Sequence, residues 1–143
     1  MVFMMKILLI AAGGGLGAVL RYGMSGWAPG ILTGLIPGLT SWKIFPVGTL
    51  VVNVLGCFAI GWLATRYGEG SSFTLKPEYR MAILVGLLGG FTTFSSFGYE
   101  TMALLHDGEK GLAALNIILN NGLGLAACWL GYVLSSSGTP ASV

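Results

Sequence analysis

The chain has 143 residues, 55% of them hydrophobic and 8% charged, with a mean hydropathy of +0.83 and a formal net charge of +2. Soluble domains carry about 25% charged residues, so this one has too little polar surface to enclose itself in water and belongs in a bilayer. Seven Lys and Arg scattered singly make no basic stripe, which excludes nucleic acid as a partner, and the length allows one small domain.

Four apolar runs, 7–26, 47–65, 81–105 and 112–134, each approach the ~20 helical residues that cross a ~30 Å hydrocarbon layer. Backbone amides in hydrocarbon must be paired within their own segment, so the runs are read as helices, and they are too long for barrel strands. The connections are rich in breakers: WAPGILTGLIPGLTSWKIFP, YGEGSSFTLKP and HDGEKG. Pro46 and Pro77 stand just before spans, where a missing donor costs little. Residues 135–143 read as a polar tail.

In the first run, Lys6 followed by ILLIAA imitates a secretory signal, but a glycine cluster stands where a cleavage motif belongs, so the segment is read as a retained span. The stretch MKILLIAAGGGLGA also imitates a dinucleotide-binding turn. That turn needs an acid about 20 residues on to hold a ribose hydroxyl, and no Asp or Glu precedes Glu69. Gly13 with Gly17, and Gly86 with Gly90, are small residues four apart and predict seams where helix backbones approach closely.

Four spans place Lys6, Arg66, Lys76 and Arg80 on one side and Arg21, Lys43 and Lys110 on the other. Four against three is hardly a bias. Either the chain inserts both ways up, or a single charge such as Arg80 decides.

The third span is interrupted at its centre by Gly89-Gly90-Phe91-Thr92-Thr93-Phe94-Ser95-Ser96-Phe97. Glycines beside hydroxyl residues weaken a helix and leave carbonyls without partners. Such backbone at membrane depth must be buried in protein or face water. Freed carbonyls suit a cation, and the start of the half-helix that follows suits an anion. Phe91, Phe94 and Phe97 recur every three residues, as a packing stripe or as positive ring edges facing an anion. Two more polar pairs lie one turn apart, Thr49 with Asn53 and Asn116 with Asn120. They either knit helices together or form a ladder of donors with no anionic charge until Glu100. Glu100 reads equally as a vestibule acid or as an interfacial charge.

Cys57 and Cys128 stand alone in apolar runs and read as small core hydrophobes rather than metal or redox ligands. His106 is the only histidine; beside Asp107 in a polar loop it reads as solvated, not as a base for Ser95 or Ser96, so no enzyme is expected.

Three motifs taken together carry a resemblance. GGGLGAVLRY (13–22), GTLVVNVLGCFAIG (48–61) and GLLGGFTTFSSF (86–97) resemble, in order and spacing, those of the Fluc fluoride channels, also called CrcB-type proteins. The likeness covers all four spans and implies an all-α membrane protein of four transmembrane helices with a broken third helix. It further implies an antiparallel, dual-topology homodimer in the plasma (inner) membrane, with a structural sodium ion on the two-fold axis and two fluoride pathways.

By that resemblance, the backbone carbonyls of Gly89 and Thr92 hold sodium. Phe94 and Phe97 line the fluoride pathway and Asn53 donates to the ion. Thr49, Ser95 and Ser96 extend a polar track, Asn120 continues it on the fourth span, and Arg21 attracts anions at a vestibule. Two departures stand out: Ser96 where the family more often has threonine, and Asn120 where serine is common. The first loop, with Pro29, Pro37 and Pro46, is long for the family.

The implied mechanism is passive. Hydrogen fluoride enters undissociated, ionises inside, and the trapped anion leaves through a narrow pore whose fixed donors replace its hydration shell. The sequence has no nucleotide-binding loop. A four-span, dual-topology exporter of cationic drugs is the alternative of matching size, but it needs an acid in its first span, and that span has none.

Overall fold

A computed structural model describes residues 2–35, 44–68 and 75–136. Among them every regular element is helical: α1 (Val2–Leu35), α2 (Val47–Arg66), α3 (Pro77–Met81), a π-helical stretch (Ala82–Leu88), α4 (Gly89–Phe91), α5 (Phe94–His106) and α6 (Lys110–Ser136). The elements from α3 to α5 make up the third span. Phe3–Ile31, Val47–Arg66, Pro77–His106 and Lys110–Ser136 are each long and apolar enough to cross a bilayer. The chain is a multi-pass membrane protein, and in a bacterium such helical bundles occupy the inner membrane.

Helix boundaries follow the expected punctuation at Pro46, the N-cap of α2, and Pro77, the first residue of α3. They depart from it at two places. The first helix was expected to end near residue 26 and instead continues through Ala28-Pro29-Gly30 to Leu35. Proline removes the N–H that would bond the Ser25 carbonyl, which in water would end the helix; in a membrane bundle neighbouring helices fill the gap. The first turn of α2 packs directly against this point, since a Cβ on Gly48 would overlap the Ser25 carbonyl oxygen. The polar tail also begins later than 135, because α6 includes Ser135 and Ser136. Lys43, Pro37, Glu69 and the tail from 137 on lie outside the described residues.

Glycine seams hold the bundle. A Cβ on Gly13 or Gly17 would strike the Ala82 or Leu87 carbonyl oxygen, and one on Gly86 or Gly90 would strike that of Ile10 or Gly14. The two predicted seams therefore face each other and join α1 to the third span. Gly61 and Gly131 do the same for α2 and α6, against the carbonyls of Cys128 and Phe58. Side chains absent from these lines let backbones meet where lipid supplies no hydrophobic drive.

A small apolar core of Phe45, Val47 and Leu50 closes the end of the bundle, with Leu112, Leu115 and Leu119 of α6 packed against it. The α5–α6 corner turns through Asp107 and Gly108, whose φ of 80° is the left-handed conformation that glycine adopts without strain. Most other large apolar side chains face outward, as a lipid environment or a second chain requires.

Candidate functional site

The third span breaks at two residues. Thr92 (φ −79°, ψ 157°) and Thr93 (φ −150°, ψ 113°) are extended between α4 and α5. Thr93 caps α5: its Oγ1 accepts the Ser96 N–H at 3.1 Å. The same hydroxyl donates to Ser96 Oγ at 3.1 Å and lies 3.2 Å from Ser95 Oγ. Ser95 and Ser96 are thus tied to the break rather than to His106, which lies at the other end of α5, about 15 Å along the axis.

Asn53 of α2 clamps this extended pair. Its Oδ1 accepts the Thr93 N–H at 2.9 Å, and its Nδ2 donates to the Thr93 carbonyl at 3.2 Å and to Asn120 Oδ1 at 3.0 Å. In a continuous helix the Thr93 N–H would bond the Gly89 carbonyl, and the Ser96 N–H would bond that of Thr92. Both donors are diverted, one to Asn53 and one to the Thr93 hydroxyl. Gly89 and Thr92 are therefore left with carbonyl oxygens deprived of their ordinary helical donors, and both residues line one cavity.

That cavity, about 310 Å³, is also walled by Asn53, Phe94, Phe97 and Asn120. The Phe94 and Phe97 rings are tilted 52° to each other with centroids 5.4 Å apart. Phe97 is buried at 8% exposure, whereas Phe94 is 81% exposed on the single chain. Phe91 ends α4, before the break, so the expected three-ring stripe reduces to two.

A second, more polar cavity of about 650 Å³ lies on the other side of Thr93, which lines both. Its walls include Arg21, Thr49, Ser96 and Glu100. Arg21, inside α1, turns its guanidinium into the protein: Nε is buried and, among the described residues, has no hydrogen-bond partner. Thr49 donates to Glu100 Oε1 at 2.6 Å, while Glu100 Oε2 is buried and has no partner among the described residues. Glu100 thus lines this second cavity from α5.

The four polar groups, read either as ties between helices or as a ladder of donors, separate into two sets. Thr49 lines the second cavity, whereas Asn53, Asn116 and Asn120 are bonded to one another. Sequence reasoning did not single out Thr93, the residue at which everything converges. The signal was present, because a threonine three residues before Ser96 in TFSS is an N-cap pattern. The π-helical turns of Ala82–Leu88 had no such mark; π-helical turns recur next to functional breaks.

A multi-span helical bundle whose third span is broken between two cavities, with Thr93 of the break lining both, belongs to the class of membrane transport proteins. The family model of CrcB-like proteins, described as camphor resistance (CrcB), matches residues 8–132. The chain is 45% identical over 132 residues to a Thermus thermophilus protein, covering 92% of this chain and 94% of that one. It is 43% identical to a Solibacter usitatus protein (92% and 98% covered) and 41% identical to one from Pyrococcus horikoshii (90% and 94%). Each of these relatives bears the name fluoride-specific ion channel FluC. The chain belongs to the CrcB-like family.

Proposed function

We propose that this chain is a fluoride-specific channel that lets fluoride leave the cytoplasm passively and so confers fluoride resistance. It forms its pore as an antiparallel, dual-topology homodimer around a structural sodium ion. The relatives named as fluoride channels support the substrate. A channel has no reaction to catalyse, and nothing catalytic is assigned to Ser95, Ser96 or His106.

The observation that carries the assembly is the pair of carbonyls at Gly89 and Thr92, each missing its helical donor. Hard cations take oxygen ligands, and two oxygens are only part of the shell a sodium ion requires. A second copy related by a two-fold axis doubles the set. The exposed ring of Phe94 needs cover of the same kind.

Fluoride would enter the vestibule drawn by Arg21, pass Ser96 and Ser95 beside the positive start of α5, and reach Asn53 between the edges of Phe94 and Phe97. Thr49 and Asn120 form parts of the walls along that route. Donors held in place by the fold replace water around the small anion in a narrow path, which favours it over larger halides.

Efflux from liposomes holding the purified chain, read in parallel for fluoride and chloride, tests the reading. Rapid fluoride release with chloride retained is expected, and equal release of the two halides overturns it.

A further inference from the structure

The amides behind Asn53 form a hydrogen-bonded line whose polarity runs one way. Thr101 Oγ1 donates its proton to the Phe97 carbonyl at 2.7 Å. A hydroxyl has one proton, so Thr101 meets Asn116 as an acceptor, and Asn116 Nδ2 donates to it at 2.9 Å. Asn116 Oδ1 is thereby turned toward Asn120, whose Nδ2 donates to it at 2.8 Å and to the Asn116 carbonyl at 3.2 Å. Asn120 Oδ1 is left facing Asn53 and accepts its Nδ2–H at 3.0 Å. Asn53 then has Oδ1 free for the Thr93 N–H.

Reversing any of these amides would set donor against donor or acceptor against acceptor. Water cannot relieve the clash at the origin of the line, since Thr101 is 7% and Asn116 0% exposed.

We propose that Thr101, acting through Asn116 and Asn120, is a positioning residue: it turns the Asn120 carbonyl toward Asn53, reinforces from behind the amide orientation that Thr93 sets from the front, and thereby helps hold the Thr92–Thr93 break in its conducting shape. Thr101 stands about 12 Å along α5 from Thr93, so its influence travels by bond direction, not contact. In this arrangement both Asn53 Nδ2 protons are engaged, and an arriving anion must take one from Asn120 or from the Thr93 carbonyl. This inference rests on the channel reading for its functional consequence.

The test compares Thr101→Val, which keeps the shape and deletes the hydroxyl, with Thr101→Ser, which keeps the hydroxyl. Full-length protein is reconstituted in liposomes for fluoride and chloride efflux, and the Asn53 side-chain amide signals are read by NMR on protein labelled at asparagine nitrogen. Thr101→Val is expected to slow fluoride about tenfold, the factor one such hydrogen bond supplies, and to displace the Asn53 amide signals. Thr101→Ser is expected to restore both. Thr101→Ala, read in the same way, stands in if the valine variant does not fold. Wild-type flux with unmoved Asn53 signals in the hydroxyl-less variant overturns the proposal. A wild-type protein that releases no fluoride counts against the channel reading alone, because the amide signals still report the relay.

Discussion

Asn53 and Thr93 are paired through two hydrogen bonds, Thr93 N–H to Asn53 Oδ1 at 2.9 Å and Asn53 Nδ2 to the Thr93 carbonyl at 3.2 Å. A side-chain amide thus supplies to one extended residue what a neighbouring strand would supply in a sheet, and the break costs no unpaired group at Thr93. Asn53→Ala strands both. We expect a loss of about 1–3 kcal/mol per stranded group, seen as a lower melting temperature in detergent, with fluoride efflux strongly reduced.

Gly17 and Gly15 lie two residues apart on α1 and differ in surroundings. A Cβ on Gly17 would overlap the Leu87 carbonyl oxygen, which is backbone and cannot swing aside, whereas Gly15 has open space. Gly17→Ala is expected to cost about 1–3 kcal/mol by forcing the helices apart, and Gly15→Ala to leave melting and flux unchanged. Thermal unfolding of the two variants side by side checks this.

Phe94 is mostly exposed on its own chain, so its removal takes little from the folded subunit. Phe94→Ile is expected to keep the melting temperature within about 2 °C while fluoride efflux falls tenfold or more, a barrier rise of about 1.4 kcal/mol. A matching loss of stability and flux would reduce the ring to a packing element.

Sodium replacement addresses the carbonyls of Gly89 and Thr92. Protein purified and reconstituted with N-methylglucamine in place of sodium is expected to lose efflux and to run as a smaller species in size exclusion. Adding sodium back is expected to restore both. Flux indifferent to the cation would leave the freed carbonyls without that role.

His106 and Asp107 form a 3.5 Å pair whose side chains are 91% and 64% exposed. Exposed pairs of this kind contribute little. His106→Ala is expected to change neither melting nor halide efflux, and a collapse of efflux would count against the channel reading.

The break was legible because Gly-Gly followed by hydroxyl residues in the middle of an apolar run violates helix propensity at several successive positions. The seams were legible because small residues four apart have one strong meaning in lipid. The continuation of α1 through Pro29 was not, since the rules for proline assume that water waits to end the helix. Nor were the partners of Asn53, Asn116 and Asn120. Spacing alone put Thr49 beside Asn53, yet their hydroxyl and amide answer to different elements, Glu100 on α5 and Asn120 on α6. Amides that share a polar stripe can serve an ion or one another, and only three-dimensional neighbours decide between them.

The first helix has a consequence for the membrane around it. Its 34 residues extend about 50 Å, well beyond a hydrocarbon layer of about 30 Å, so it must lean steeply or carry its final turns out among the lipid headgroups. Trp27, 75% exposed on that stretch, is the kind of ring that settles at such a boundary. Bilayer thickness thereby becomes a mechanical variable for the protein: a thinner or thicker host lipid would change the lean of α1, and with it the glycine line that presses on the broken span.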